Sequence, residues 1–73
     1  MKPRLLVKFG QRVRELRVAA GFTQESLAEA SDLHPNYVGR VERGERNVSL
    51  LNIAAIARAL HVTVSDLLRG VDR

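Results

Sequence analysis

Apolar residues in this chain fall three and four positions apart and nowhere sustain a spacing of two, which restricts it to helices packed on helices. Leu6, Phe9, Val13, Leu16 and Ala20 keep that spacing. They predict an amphipathic helix from about residue 4 to 20, with Lys8, Gln11, Arg12 and Glu15 on its wet side. Gly21 supplies the left-handed stop. Thr23 is the N-cap candidate of a short second helix, and Glu25 in its first turn suits the helix dipole. Gln24, Leu27, Ala28 and Ser31 share one face of that helix. A turn over 32–34 leads to Pro35, well placed to begin a third helix, which must finish near Arg43 because Gly44 follows. Ser49 caps a fourth helix with Leu50, Ile53, Ala54, Ala57 and Leu60 as its inward stripe. Thr63 and Asp66 resemble a capping box opening a short fifth helix through Val64, Leu67 and Leu68, closed by Gly70. With no Asn-Gly or Asp-Gly hairpin signal, the expected fold is all-α: a compact bundle of about five short helices, one domain over residues 1–73.

Composition narrows the function classes. At 45% apolar the chain is too hydrophobic for a disordered tail. Its longest apolar run, residues 53–57, is far short of the ~20 that cross a membrane. No secretory leader is evident, so a cytoplasmic protein without a membrane partner is expected. A domain of this size buries only about 60% of its unfolded surface. It has no cysteine and hence no disulfide, thiolate nucleophile or Cys-ligated zinc. Association with a second chain is then a reasonable source of stability. His34 and His61 lack a partner at ligand spacing, so no metal or other cofactor is expected. Ser31, Asp32 and His34 are nucleophile, acid and base types, but a short turn offers them no pocket, and no enzyme activity is expected.

The net charge is +4, and its distribution is uneven. Residues 1–22 carry Lys2, Arg4, Lys8, Arg12, Arg14 and Arg17 against Glu15 alone, whereas 23–32 carry only Glu25, Glu29 and Asp32. A small basic protein often meets a polyanion; in that case the acidic segment should turn away from it. The third helix supplies the matching surface. At ~100° per residue, Val38 and Val41 fall on one side with Glu42 flanking them. Asn36, Arg40 and Arg43 gather on the opposite side, with Tyr37 at the edge. Gly39 is expected on that exposed flank, where it costs ~1 kcal/mol of helix propensity and lets a backbone or ligand come close. An amide, a phenol and two guanidiniums offer the donors that base edges and phosphates accept.

Phe22-Thr23-Gln24-Glu25-Ser26-Leu27-Ala28, Leu33, Tyr37-Val38 and Val41-Glu42-Arg43-Gly44 resemble the Cro/CI-type (XRE) helix-turn-helix family. The likeness covers nearly the whole chain, including Val64-Ser65-Asp66-Leu67-Leu68. The stretch from Glu42 through Arg43-Gly44-Glu45-Arg46-Asn47-Val48-Ser49 to Leu50, with Leu33-His34 and Tyr37, is similar to the small controller proteins of restriction–modification systems.

That resemblance implies a lambda-repressor-like DNA-binding domain with its helix-turn-helix unit at about residues 23–43. It implies a homodimeric, sequence-specific regulator of transcription that binds double-stranded DNA at an inverted-repeat operator and acts on its own promoter. No small-molecule effector is expected. By position, Asn36, Tyr37 and Arg40 would read bases. Thr23, Gln24, Arg43, Arg46 and Asn47 would hold phosphates, and Arg17 with Glu42 would form a buried ion pair. Leu51, Val64, Leu67, Leu68 and Val71 are the candidates for a dimer face. Controller proteins often carry Arg-Thr where this chain has Pro35-Asn36, so the operator is expected to differ; Asn36 has the donor and acceptor for a bidentate adenine contact. The alternatives are an antitoxin that represses its own operon and a helical adaptor that binds protein without DNA.

Overall fold

Each turn of the chain is closed by a capping device that the sequence carries. The computed structural model describes residues 1–73 as five helices and no strand: α1 (Arg4–Ala19), α2 (Gln24–Ser31), α3 (Pro35–Glu42), α4 (Leu50–Ala59) and α5 (Val64–Leu67). Helix α1 ends at Gly21 (φ 81°), where the amide of Phe22 donates to the carbonyl of Arg17 at 3.0 Å. Thr23 caps α2: its hydroxyl accepts from the Ser26 amide while Ser26 Oγ accepts from the Thr23 amide. The three-residue turn into α3 begins at Asp32, in the left-handed conformation, and ends at His34, whose Nδ1 accepts from the Asn36 amide at 3.1 Å. His34 is therefore a cap. Ser49 accepts from the Asn52 amide to start α4.

Helix α3 packs against both α1 and α2, α4 lies against α2, and α5 touches α4 and α1. Phe9 and Val13 of α1, Leu27 and Ala28 of α2, Val38 and Val41 of α3, Ile56, Ala57 and Leu60 of α4, and Leu67 and Val71 meet in one core. Ser31 is also buried, its hydroxyl donating to the Leu27 carbonyl at 2.6 Å. That hydroxyl is bonded within α2, to the Leu27 and Ala28 carbonyls, and not to Asp32 or His34.

Several expectations need correction. The inward stripe of α4 keeps Ile53, Ala57 and Leu60 on the core and is widened by Ile56, which is fully buried, whereas Leu50, in the first turn, stands in solvent. Ala20 also lies outside, beyond the last turn of α1. Arg12, expected on the wet side, is half-buried because α5 crosses α1 there; its Nη2 donates to the Asp66 carbonyl at 2.7 Å. The box at α5 is only half formed. Thr63 Oγ1 accepts from the Asp66 amide, but the Asp66 carboxylate turns to Arg69 instead of returning to the cap. Leu67 and Val71, expected at a dimer face, are closed into the subunit core, because the last turns fold back over α1 and α4.

Gly10 has a role that helix propensity does not reveal. A Cβ there would lie 2.3 Å from the Val41 carbonyl oxygen and 2.5 Å from that of Glu42, so α1 and α3 meet backbone to backbone. Propensity alone predicts that Gly10→Ala stabilises the protein by ~1 kcal/mol. The packing predicts the opposite sign, a loss of at least ~1–3 kcal/mol as the helices are forced apart; urea unfolding of the variant distinguishes the two.

Candidate nucleic-acid interface

The buried side of α3 explains how its outer side is held still. Glu42, in its last turn, places its carboxylate in the interior with only 3% of the side chain exposed. Arg17 of α1 grips it in a fork, Nε to Oε2 at 2.6 Å and Nη2 to Oε1 at 3.2 Å. Gln24 Nε2 donates to the same Oε1 at 3.0 Å. Arg17 Nη1 also donates to the Phe22 carbonyl at 2.9 Å. One carboxylate thus ties together α1, the start of α2 and the end of α3, and the expected Arg17–Glu42 pair is present and inside. Its bidentate geometry and further hydrogen bonds offset the cost of taking two charges out of water.

On the opposite side, Asn36, Arg40 and Arg43 are all exposed. Tyr37 sits at the edge as expected, half-buried, with its hydroxyl accepting from Asn52 Nδ2 of α4 at 3.0 Å. The Arg46 guanidinium lies over the Tyr37 ring, 5.4 Å from its centroid, a cation–π arrangement. Asn47 is exposed just beyond it. Gly39, expected on the open flank, is buried. Its neighbours are the Arg43 guanidinium and the Gln24 amide, each within 3.4 Å of where a Cβ would stand. The group that comes close there belongs to the protein itself. Gln24 likewise turns its amide inward to Glu42, and the Thr23 hydroxyl is spent on the cap. What α2 still presents outward is its N-terminus, ahead of the first intrahelical bond from Leu27 to Thr23.

Glu45, to which the sequence assigns no role beyond its place in the controller-like stretch, gathers three cations. Its carboxylate lies 3.2 Å from Arg43 Nε, 3.8 Å from Arg40 Nε and 3.8 Å from Lys2 Nζ. The Arg43 hydrogen bond, with the positive charges of Arg43, Lys2 and Arg40, outweighs desolvation and holds this carboxyl below the ordinary glutamate value. By contrast, Glu25, Glu29 and Asp32 are exposed, and none of them pairs with Arg40, Arg43 or Arg46.

Two eight-residue helices joined by a three-residue turn, the second offering an amide and two guanidiniums to solvent, define a helix-turn-helix DNA-binding unit. Residues 13–67 match the helix-turn-helix family model, and the chain belongs to that family, as a transcription regulator of the restriction–modification controller type. It is 51% identical over 61 residues to control protein C.BamHI of Bacillus amyloliquefaciens, covering 82% of this chain and 75% of that one. To control protein C.SmaI of Serratia marcescens it is 47% identical over 58 residues, 80% of this chain and 69% of that one. The crystal structure of the restriction–modification controller protein C.AhdI from Aeromonas hydrophila superposes with a TM-score of 0.84 at 60% identity, covering 85% of this chain and 94% of that one.

Removing Arg17 would strand the Glu42 carboxylate in the interior. Arg17→Ala is expected to cost ~3–5 kcal/mol, read from the thermal or urea midpoint; a midpoint within error of wild type rejects the structural role of the pair.

Proposed function

We propose that this regulator works as a homodimer on an inverted-repeat operator, reading bases with Asn36, Tyr37 and Arg40. The observation that carries the reading is the division of α3 into two sides. Glu42 is locked into the interior, while Asn36 and Arg40 project from the other side with no helix covering them. A helix anchored in that way lies in the major groove without its register drifting. Arg40 has the fork for a guanine edge and Asn36 the amide for an adenine. Tyr37, restrained by Asn52 and Arg46, offers an edge rather than a swinging side chain.

Phosphates would be met around this centre. Arg43, Arg46 and Asn47 follow the helix along one strand. Thr23 and Gln24 contribute through the N-terminus of α2, where amides ahead of the first intrahelical bond favour an anion. The dimer face falls to Leu51, Val64 and Leu68: Leu51 is 82% exposed and Leu68 is 37% exposed, too much apolar surface to leave in water without purpose. No helix is long and apolar enough to cross a membrane, in keeping with action on DNA in the cytoplasm. Regulation then runs through the protein's own concentration, without a small-molecule effector, and includes its own promoter.

Duplexes selected from a random pool should converge on two symmetric half-sites about one helical turn, ~34 Å, apart; a consensus without symmetry overturns the dimer reading. On that operator, Arg40→Ala should cost ~1–3 kcal/mol and relax the preference at one position per half-site. Arg46→Ala should instead weaken operator and random duplexes alike and flatten the salt dependence by ~1 per subunit. Exchange of these two phenotypes in binding titrations would reject the division into base and phosphate contacts.

A further inference from the structure

An acidic side chain at the edge of a surface meant for a polyanion needs a physical reason, and the fold fixes Glu45 there. Helix α3 ends with Gly44 in the left-handed conformation, φ 74°, packed so tightly on Val7 that a Cβ would come within 2.9 Å of the Val7 Cα. The Gly44 amide donates to the Val41 carbonyl at 3.0 Å and the Glu45 amide to the Arg40 carbonyl at 2.9 Å. This paired closure brings the side chain of the residue after the glycine against that of the third-last helical residue, a place usually filled by an apolar contact. Here the two residues are Glu45 and Arg40. Their meeting is therefore set by the backbone, and Arg43 and Lys2 close on the same carboxylate from two other directions.

We infer that Glu45 is a specificity-determining residue: its carboxylate occupies the place of a DNA phosphate between Arg40 and Arg43 and so discriminates against duplexes that offer phosphates alone. The inference rests on the reading of α3 as the base-reading helix. A random duplex attracts this face only through charge. It must draw the guanidiniums away from Glu45 and tolerate a carboxylate beside its own phosphates. An operator returns something more. Arg40 keeps its Nε toward Glu45 while its outer nitrogens meet a base edge, and the carboxylate then acts as a strut that spares the ordering of a long side chain. The same group therefore weakens random binding and leaves specific binding nearly level.

Titrations of wild type, Glu45→Gln and Glu29→Gln on the selected operator and on a scrambled duplex of equal length, at several salt concentrations, test this. Glu29 is exposed on α2 and unpaired, so its variant makes the same charge change away from α3. Glu45→Gln should bind the scrambled duplex about fivefold tighter, the scale of released exposed ion pairs. Its salt dependence should be steeper, its operator affinity should stay within about twofold, and its operator-to-random ratio should fall by about fivefold. Glu29→Gln should leave that ratio unchanged. Equal shifts on both duplexes for Glu45→Gln, or none on the scrambled one, overturn the assignment to Glu45 while the base-reading helix stands. A wild type that does not discriminate between the two duplexes overturns the base-reading helix itself, and this inference with it.

Discussion

The carboxylate of Glu42 is the point on which the architecture turns. A negative charge in the interior is tolerable only if its lone pairs are filled and its charge is matched in place. Arg17 supplies the match from α1 and Gln24 fills a remaining site from α2. The carboxylate and its partners come from three helices, so the carboxylate is content in one arrangement of those helices and exposed to a large penalty in others. Apolar packing among Phe9, Val13, Leu27, Val38 and Val41 provides cohesion but tolerates small slides. A forked ion pair does not. The angle of α3, and with it the direction of every side chain on its outer side, is inherited from this junction.

Five of the arginines, Arg12, Arg17, Arg40, Arg43 and Arg46, occupy four different settings, and burial separates them. Arg17 has 11% of its side chain exposed and serves the interior. Arg40 and Arg43 are more than half exposed and share an acid that solvent also reaches, so their pairing is weak enough to exchange for another anion. Arg46 rests on an aromatic face, which holds its position without neutralising its charge. Arg12 is half-buried and spans α1 to the α5 carbonyl, as a strut between helices. Residue type alone would treat all of these as positive surface.

The sequence made much of this legible, and its failures have identifiable causes. Helix limits came from local chemistry, at Thr23, Pro35, Ser49 and Gly21, and local chemistry is what a linear reading sees well. The two sides of α3 came from its period, and the structure places Val38, Val41 and Glu42 inside as that period requires. Gly10 was invisible because the reason for it, a carbonyl of α3, is some thirty residues away in the chain. Gly39 was misread because the neighbours that cover it belong to α2 and to the helix end. Leu67 and Val71 were assigned to a partner chain because a stripe of apolar residues does not say whether the subunit or its twin will cover it. Glu45 escaped notice because alternating charges at a helix end look like ordinary solvated surface until the reversal of the chain brings them together.

The contact at Gly10 carries a consequence for how such a molecule diversifies. The distance between α1 and α3 is set by main-chain atoms, which every residue shares, and not by the side chains that face outward. Exchanging the amino acids at 36 or 40 therefore leaves the mount undisturbed. On the reading proposed for Asn36 and Arg40, the molecule is in effect a fixed handle carrying replaceable teeth: a new target sequence is learned a residue at a time, without the handle being rebuilt.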